Sequence, residues 1–141
     1  MAMDTKSRRI FSGCHNKMVA VINADTGKVV ATPAIGDGVD ATAFDPGTGY
    51  VFNSCGDGTL SVAHEDAPDK YTVVEQVKTV PRARTMALDT KTHNVYLSIA
   101  DFEPAPAPAT PPAADKGGDK GPPRPRMRVV PGTFSLLEYG R

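Results

Sequence analysis

One phrase is written three times along this chain, and a phrase that recurs at a fixed spacing limits the possible folds more than any single motif does. ATAFDPGTGYVFNSC, residues 41–55, returns as TMALDTKTHNVYLSI, residues 85–99, and the opening MAMDTKSRRIFSGC is the same phrase entered part-way through. Asp4, Asp45 and Asp89 mark it. Six residues after each stands an apolar β-former, Ile10, Val51 or Val95, followed by an aromatic, Phe11, Phe52 or Tyr96. Cys14, Cys55 and Ile99 close the strand at matching places. From Asp4 to Asp45 is 41 residues and from Asp45 to Asp89 is 44. Short alternating strands at such a period, divided by Gly, Asp and Pro, predict a small antiparallel sheet as the unit, stacked on its neighbours.

The expected fold is therefore all-β, built of four-stranded antiparallel sheets of the β-propeller blade type, about three per chain with the last incomplete. The units fall at residues 1–35, 36–80 and 81–141 of a single partial propeller. In the second unit strands are expected over 40–45, 50–55, 59–64 and 71–79, and in the first the later strands over 18–23 and 28–32. The turns PGTG and GDG carry glycines suited to tight hairpins. Phe52 is expected in the core. The stretch 101–130 is so rich in Pro, Ala, Gly and charge that it reads as a disordered insertion within the third unit. After it, Gly132 to Leu136 match Gly58 to Val62 in type.

The period, the D-x-x-x-x-x-V-[YF] strand, the GTLSV strand and the closing PGTFSLLEYG resemble the YVTN-family β-propeller repeat proteins of bacteria and archaea. The resemblance covers nearly the whole chain outside the insertion. It implies a C-terminal portion of such a propeller, and relatives that are often exported or periplasmic. The chain departs from the pattern at MVAVI, residues 18–22, where the family often begins with Ser or Thr.

Composition narrows the partners. Sixteen basic residues balance 16 acidic ones, so no net charge draws the chain to nucleic acid or acidic lipid. No apolar run reaches the roughly 20 residues of a spanning helix, and no secretory signal pattern opens the sequence. Cys14 and Cys55 occupy the same place in successive units, which puts them on neighbouring sheets as small buried apolar groups and not in a disulfide. His15 and His64 end strands and His93 lies in a turn, without the spacing of a metal or Cys–His nucleophile set. NADTGK lacks the carboxylate spacing of a calcium loop. No catalytic residue, cofactor or metal site is expected.

Ligand contacts are expected on the loops that lead into the innermost strands, IGDGVD and VPRARTM. Asp37 and Asp40 in the first meet Arg82 and Arg84 in the second, where opposite charges could pair at a channel rim or hold a ligand. Arg124, Arg126 and Arg128 in GPPRPRMR could dock on an acidic surface or a groove that reads proline. A run of three blades leaves two apolar sheet faces open. The expected function is a non-catalytic scaffold for protein or small-molecule binding, self-associating to complete a ring, with a dimer favoured, or else joined by a missing N-terminal propeller portion. The alternative is a propeller subunit of a quinoprotein or copper oxidoreductase.

Overall fold

The computed structural model of the protein describes residues 1–106 and 126–140. In chain order the strands are β1 (Ala2–Asp4), β2 (Arg9–Cys14), β3 (Met18–Asn23), β4 (Val29–Ala31), β5 (Val39–Asp45), β6 (Tyr50–Cys55), β7 (Thr59–Ala67), β8 (Lys70–Lys78), β9 (Thr85–Asp89), β10 (Asn94–Ile99), β11 (Phe102–Pro104), β12 (Met127–Val129) and β13 (Ser135–Tyr139). The described residues contain no helix, so none is long and apolar enough to cross a membrane. The chain divides into a larger unit, Met1–Ile99 with Ser135–Arg141, and a smaller one, Ala100–Phe134.

The larger unit holds three antiparallel sheets, ordered β1-β2-β3-β4, β5-β6-β7-β8 and β9-β10-β13. The repeated aspartate sets the first turn of each. Asp4 accepts backbone N–H groups from Lys6 and Ser7, both at 2.9 Å. Asp45 accepts from the Gly47 N–H at 3.0 Å and the Thr48 hydroxyl at 2.8 Å, and Asp89 from the Lys91 N–H and the Thr92 hydroxyl, both at 2.9 Å. Each carboxylate thus folds the chain back over its own next residues. The turn ends in the left-handed region at Arg8 (φ 56°), Gly49 (φ 72°) and His93 (φ 63°). Only one of the three is glycine, so the other two accept a conformation that residues with a side chain seldom adopt.

Packing between sheets follows from the period of two along each strand. Phe11, Val19 and Val21 on one face of the first sheet meet Val51, Cys55 and Ala63 of the second. The Phe11 ring stacks at 5.1 Å on Phe44 and takes Tyr71 edge-on at 5.7 Å. The opposite face of the second sheet, with Phe52, Leu60 and Val62, meets Val95 and Leu97 of the third. Phe11 and Phe52 hold the same place in the repeat, as do Val51 and Val95. The two interfaces are therefore one interface used twice, head to tail. The middle sheet is covered on both sides, and Leu60 to Ala63 of β7 are buried without alternation.

Among the described residues, the two end sheets each keep one face that no neighbouring sheet covers. On the first it carries Met3, Ile10, Met18, Ala20 and Ile22, none of them buried, with Met3 39% exposed. On the third it carries Tyr96 and Leu136, the latter 60% exposed. Cys14 looks onto the open face of the first sheet and is half-buried, whereas its equivalent Cys55 is closed in; both are free thiols.

The smaller unit corrects part of the sequence reading. Its described ends form a hairpin, with Phe102 opposite Val129, Glu103 opposite Arg128 and Pro104 opposite Met127. Arg128 and Glu103 pair at 2.6 Å. Composition averaged over the whole stretch predicts disorder, but Phe102 and Met127–Val129 are local β-formers that the proline count hides. Residues 107–125, with Arg124, lie outside the described residues. A second correction concerns β13: Ser135 stands opposite Ile99 as Thr59 stands opposite Cys55, so the strand is set two residues off the match of Gly132 to Gly58. Pro131 and Gly132 belong to a turn instead. A third concerns Phe52, which is half-buried and not closed like Phe11. Replacing Phe11 by Ala should cost about 3–5 kcal/mol in urea unfolding, and replacing Phe52 clearly less. Equal losses would mean that the two interfaces are wrongly assigned.

Candidate functional site

Two places gather polar chemistry, both within the larger unit. The first is the rim of loops leading into β5 and β9, where the sequence placed Asp37, Asp40, Arg82 and Arg84. Backbone bonds knit these loops together. The Asp37 N–H donates to the Asp57 carboxylate at 2.7 Å, Gly56 N–H to Gly38 C=O at 2.9 Å, and Arg82 N–H to Gly56 C=O at 3.0 Å. Gly38 (φ 68°) and Arg82 (φ 73°) are equivalent left-handed positions. Ala83, fully buried, anchors the second loop, and the Ser54 hydroxyl donates to the Arg84 carbonyl. Gly58 (φ 90°) lies so close to the next loop that a Cβ there would stand 2.9 Å from the Pro81 nitrogen.

On this scaffold both carboxylates also contact residues outside the expected carboxylate–arginine set. Asp37 is paired with Lys17 at 3.3 Å, a residue that the sequence did not single out. Asp40 accepts from the Thr85 hydroxyl at 3.4 Å. Arg84 lies along Gly56, whose added Cβ would stand 3.7 Å from its Cδ. Lys17 and Asp37 are both more than half exposed, so their attraction is screened by water and leaves them free to exchange partners. The rim is a backbone-bonded frame carrying charges of both signs. Such a frame suits surface recognition.

The second place is a cavity of about 210 Å³ between the second and third sheets. Phe52, Leu60, Val62, Val77, Val95 and Tyr139 form much of its wall, and Asp45, His93 and Glu75 supply polar groups. His93 Nδ1 lies 2.7 Å from Asp45 Oδ2, with Asp45 fully buried and His93 44% exposed. The bond ties the turn of the third sheet to the turn of the second. Burial raises the Asp45 carboxyl, but the hydrogen bonds from Thr48, Gly47 and His93 outweigh it and hold the group below the ordinary carboxylate range.

In the sequence Asp45 marks the repeat and His93 lies in a turn, and nothing there joins them. The equivalence of Arg8, Gly49 and His93 carries no signal for this bond, because Arg8 turns back to Asp25 of its own sheet. The other histidines do different things: His64 Nδ1 is 2.8 Å from Asp66 on its own hairpin, and His15 is exposed. Among the described residues no three His, Cys, Asp or Glu side chains are grouped as metal ligands.

A depressed carboxyl in the folded state adds stability that is complete above the unfolded value and is lost as pH falls through the folded one. Replacing Asp45 by Asn should therefore lower stability at neutral pH by about 1–3 kcal/mol. The gap between variant and parent should shrink as pH falls below about 4, where the unfolded carboxyl takes up a proton before the folded one does. Urea melts across pH check both, and a gap that does not change with pH would remove the charged Asp45 from the account.

No protein-family model matches the chain, and no curated protein matches it.

Proposed function

We propose that the protein is a binding scaffold of β-propeller type, resembling the YVTN repeats, and that its copies join through their open sheet faces to extend the stack toward a closed ring. The observation that carries this reading is the equivalence of exposed and buried faces. Ile10 stands where Val51 and Val95 stand, and those two are buried against the preceding sheet. Tyr96 stands where Phe11 and Phe52 stand, which pack on the following sheet. The open face of the first sheet is thus of the kind that the open face of the third would cover. Head-to-tail contacts of this sort generate rings when the rotation closes. Two copies would supply six sheets.

In this reading the rim residues Asp37, Asp40, Arg82 and Arg84, with Lys17, form the surface offered to a protein or small-molecule ligand. The framed, mixed-charge character of the rim favours binding over catalysis.

Light scattering behind size exclusion, over a concentration series, tests the assembly. A dimer is expected, and replacing Ile10 by Asp should reduce it to a monomer with an unchanged far-ultraviolet spectrum, because a charge would be buried unpaired in the contact. A folded monomer at every concentration would overturn the self-association, as would a dimer indifferent to the Ile10→Asp change.

A further inference from the structure

A polar row crosses the middle sheet inside an apolar contact. Thr42, Asn53, Ser61 and Gln76 stand directly opposite one another on β5, β6, β7 and β8, so all four share one face. Asn53 lies between Val51 and Cys55 on its strand, which places that face against the first sheet. In the third sheet the same row reads Met86, Leu97 and Leu137, all packed in the apolar contact with the second sheet. The repeat therefore has no general need of polar groups at this place.

Most of the row is satisfied by its own members and one loop. The Thr42 hydroxyl donates to Asn53 Oδ1 at 2.9 Å, the Ser61 hydroxyl donates to Gln76 Oε1 at 2.7 Å, and the Gly36 N–H donates to Ser61 Oγ at 3.0 Å. One atom is left over. Asn53 is fully buried, and its Nδ2 has no hydrogen-bond partner among the described residues. Turning the amide over would only leave the carbonyl oxygen in its place. An amide donor closed away from solvent without an acceptor is costly, and such groups in folded proteins are nearly always bonded.

The neighbours decide what can meet it. Ser61, 1% exposed, stands opposite Asn53 on the next strand, and its oxygen, having given one proton and taken another, keeps one acceptor position. A group that bridges the two must accept from the amide and donate to the hydroxyl. We infer that the row is a binding site for one ordered water molecule, held between Asn53 Nδ2 and Ser61 Oγ. Larger ligands are shut out at one end, because Gly13 of the first sheet comes so close that a Cβ there would stand 2.9 Å from Thr42 Oγ1 and 2.7 Å from Val39 Cγ2. The other end, Gln76, is exposed. The site lies between the two four-stranded sheets and does not depend on the self-association proposed above. It gives the first contact a requirement that the second, built on Leu97, does not have.

The full chain tests this in solution and in a crystal. In solution the Asn53 side-chain amide protons should give dipolar cross-peaks with water, of the sign expected for a molecule held longer than the protein takes to tumble. A crystal structure that resolves ordered solvent should place one water oxygen within about 3.2 Å of both Asn53 Nδ2 and Ser61 Oγ. Replacing Asn53 by Leu, as at the equivalent place in the third sheet, should remove that water. Should this variant not fold, Ser61→Ala serves instead, since it keeps the amide and deletes the second partner, and the water should again be lost. An Asn53 amide bonded directly to a protein oxygen overturns the proposal, and so does a water that stays in place in either variant. Cross-peaks in solution with no water in the crystal overturn it too, because they would be relayed through the Ser61 hydroxyl.

Discussion

Everything in the larger unit depends on burying one face of each sheet against the opposite face of the next. The energy is hydrophobic and grows with the apolar area removed from water. A four-stranded sheet with two apolar faces cannot satisfy both alone, and the middle sheet does so because it has a neighbour on each side. The fully closed residues Phe11, Val19, Val21, Val51, Leu60, Val95 and Leu97 all lie on the two internal contacts. The end sheets have half of this arrangement, which makes their free faces the most informative surfaces of the molecule.

The polar groups work within that constraint. The repeated aspartates hold turns that bring paired strands into register, and in all three the balance of effects leaves the carboxyl below its ordinary range. Asp45 is the one that also reaches another sheet, through His93. The corresponding link between the first two sheets uses other chemistry: Arg9 bonds the Asp69 carboxylate and the Pro68 carbonyl, and Ser7 bonds Glu65. Apolar packing repeats from interface to interface, while the polar fastenings differ. Apolar contacts need only shape and volume, whereas each hydrogen bond needs a particular donor and acceptor in line.

The open faces of the first and third sheets are a deficit of side-chain burial. The rim of Asp37, Asp40, Arg82 and Arg84 is not, because its loops are already framed by backbone bonds.

The sequence by itself determined what is local and periodic. The spacing of Asp4, Asp45 and Asp89 marked the units. The hairpin glycines and alternating strands placed β3 and β6 to the residue and β4, β5 and β8 to within one at their ends. β7 runs further, because β8 lengthens with it as a paired hairpin. Tertiary structure alone decided which lysine meets Asp37, that His93 reaches Asp45, that β13 is shifted by two residues, and that Phe11 is sealed where Phe52 is not. The reason is physical. A turn or a strand is specified by residues within a few positions of one another, but a cavity or a bond between sheets depends on side chains 20 or more residues apart, and the repeat fixes their spacing without saying which of them has a neighbour.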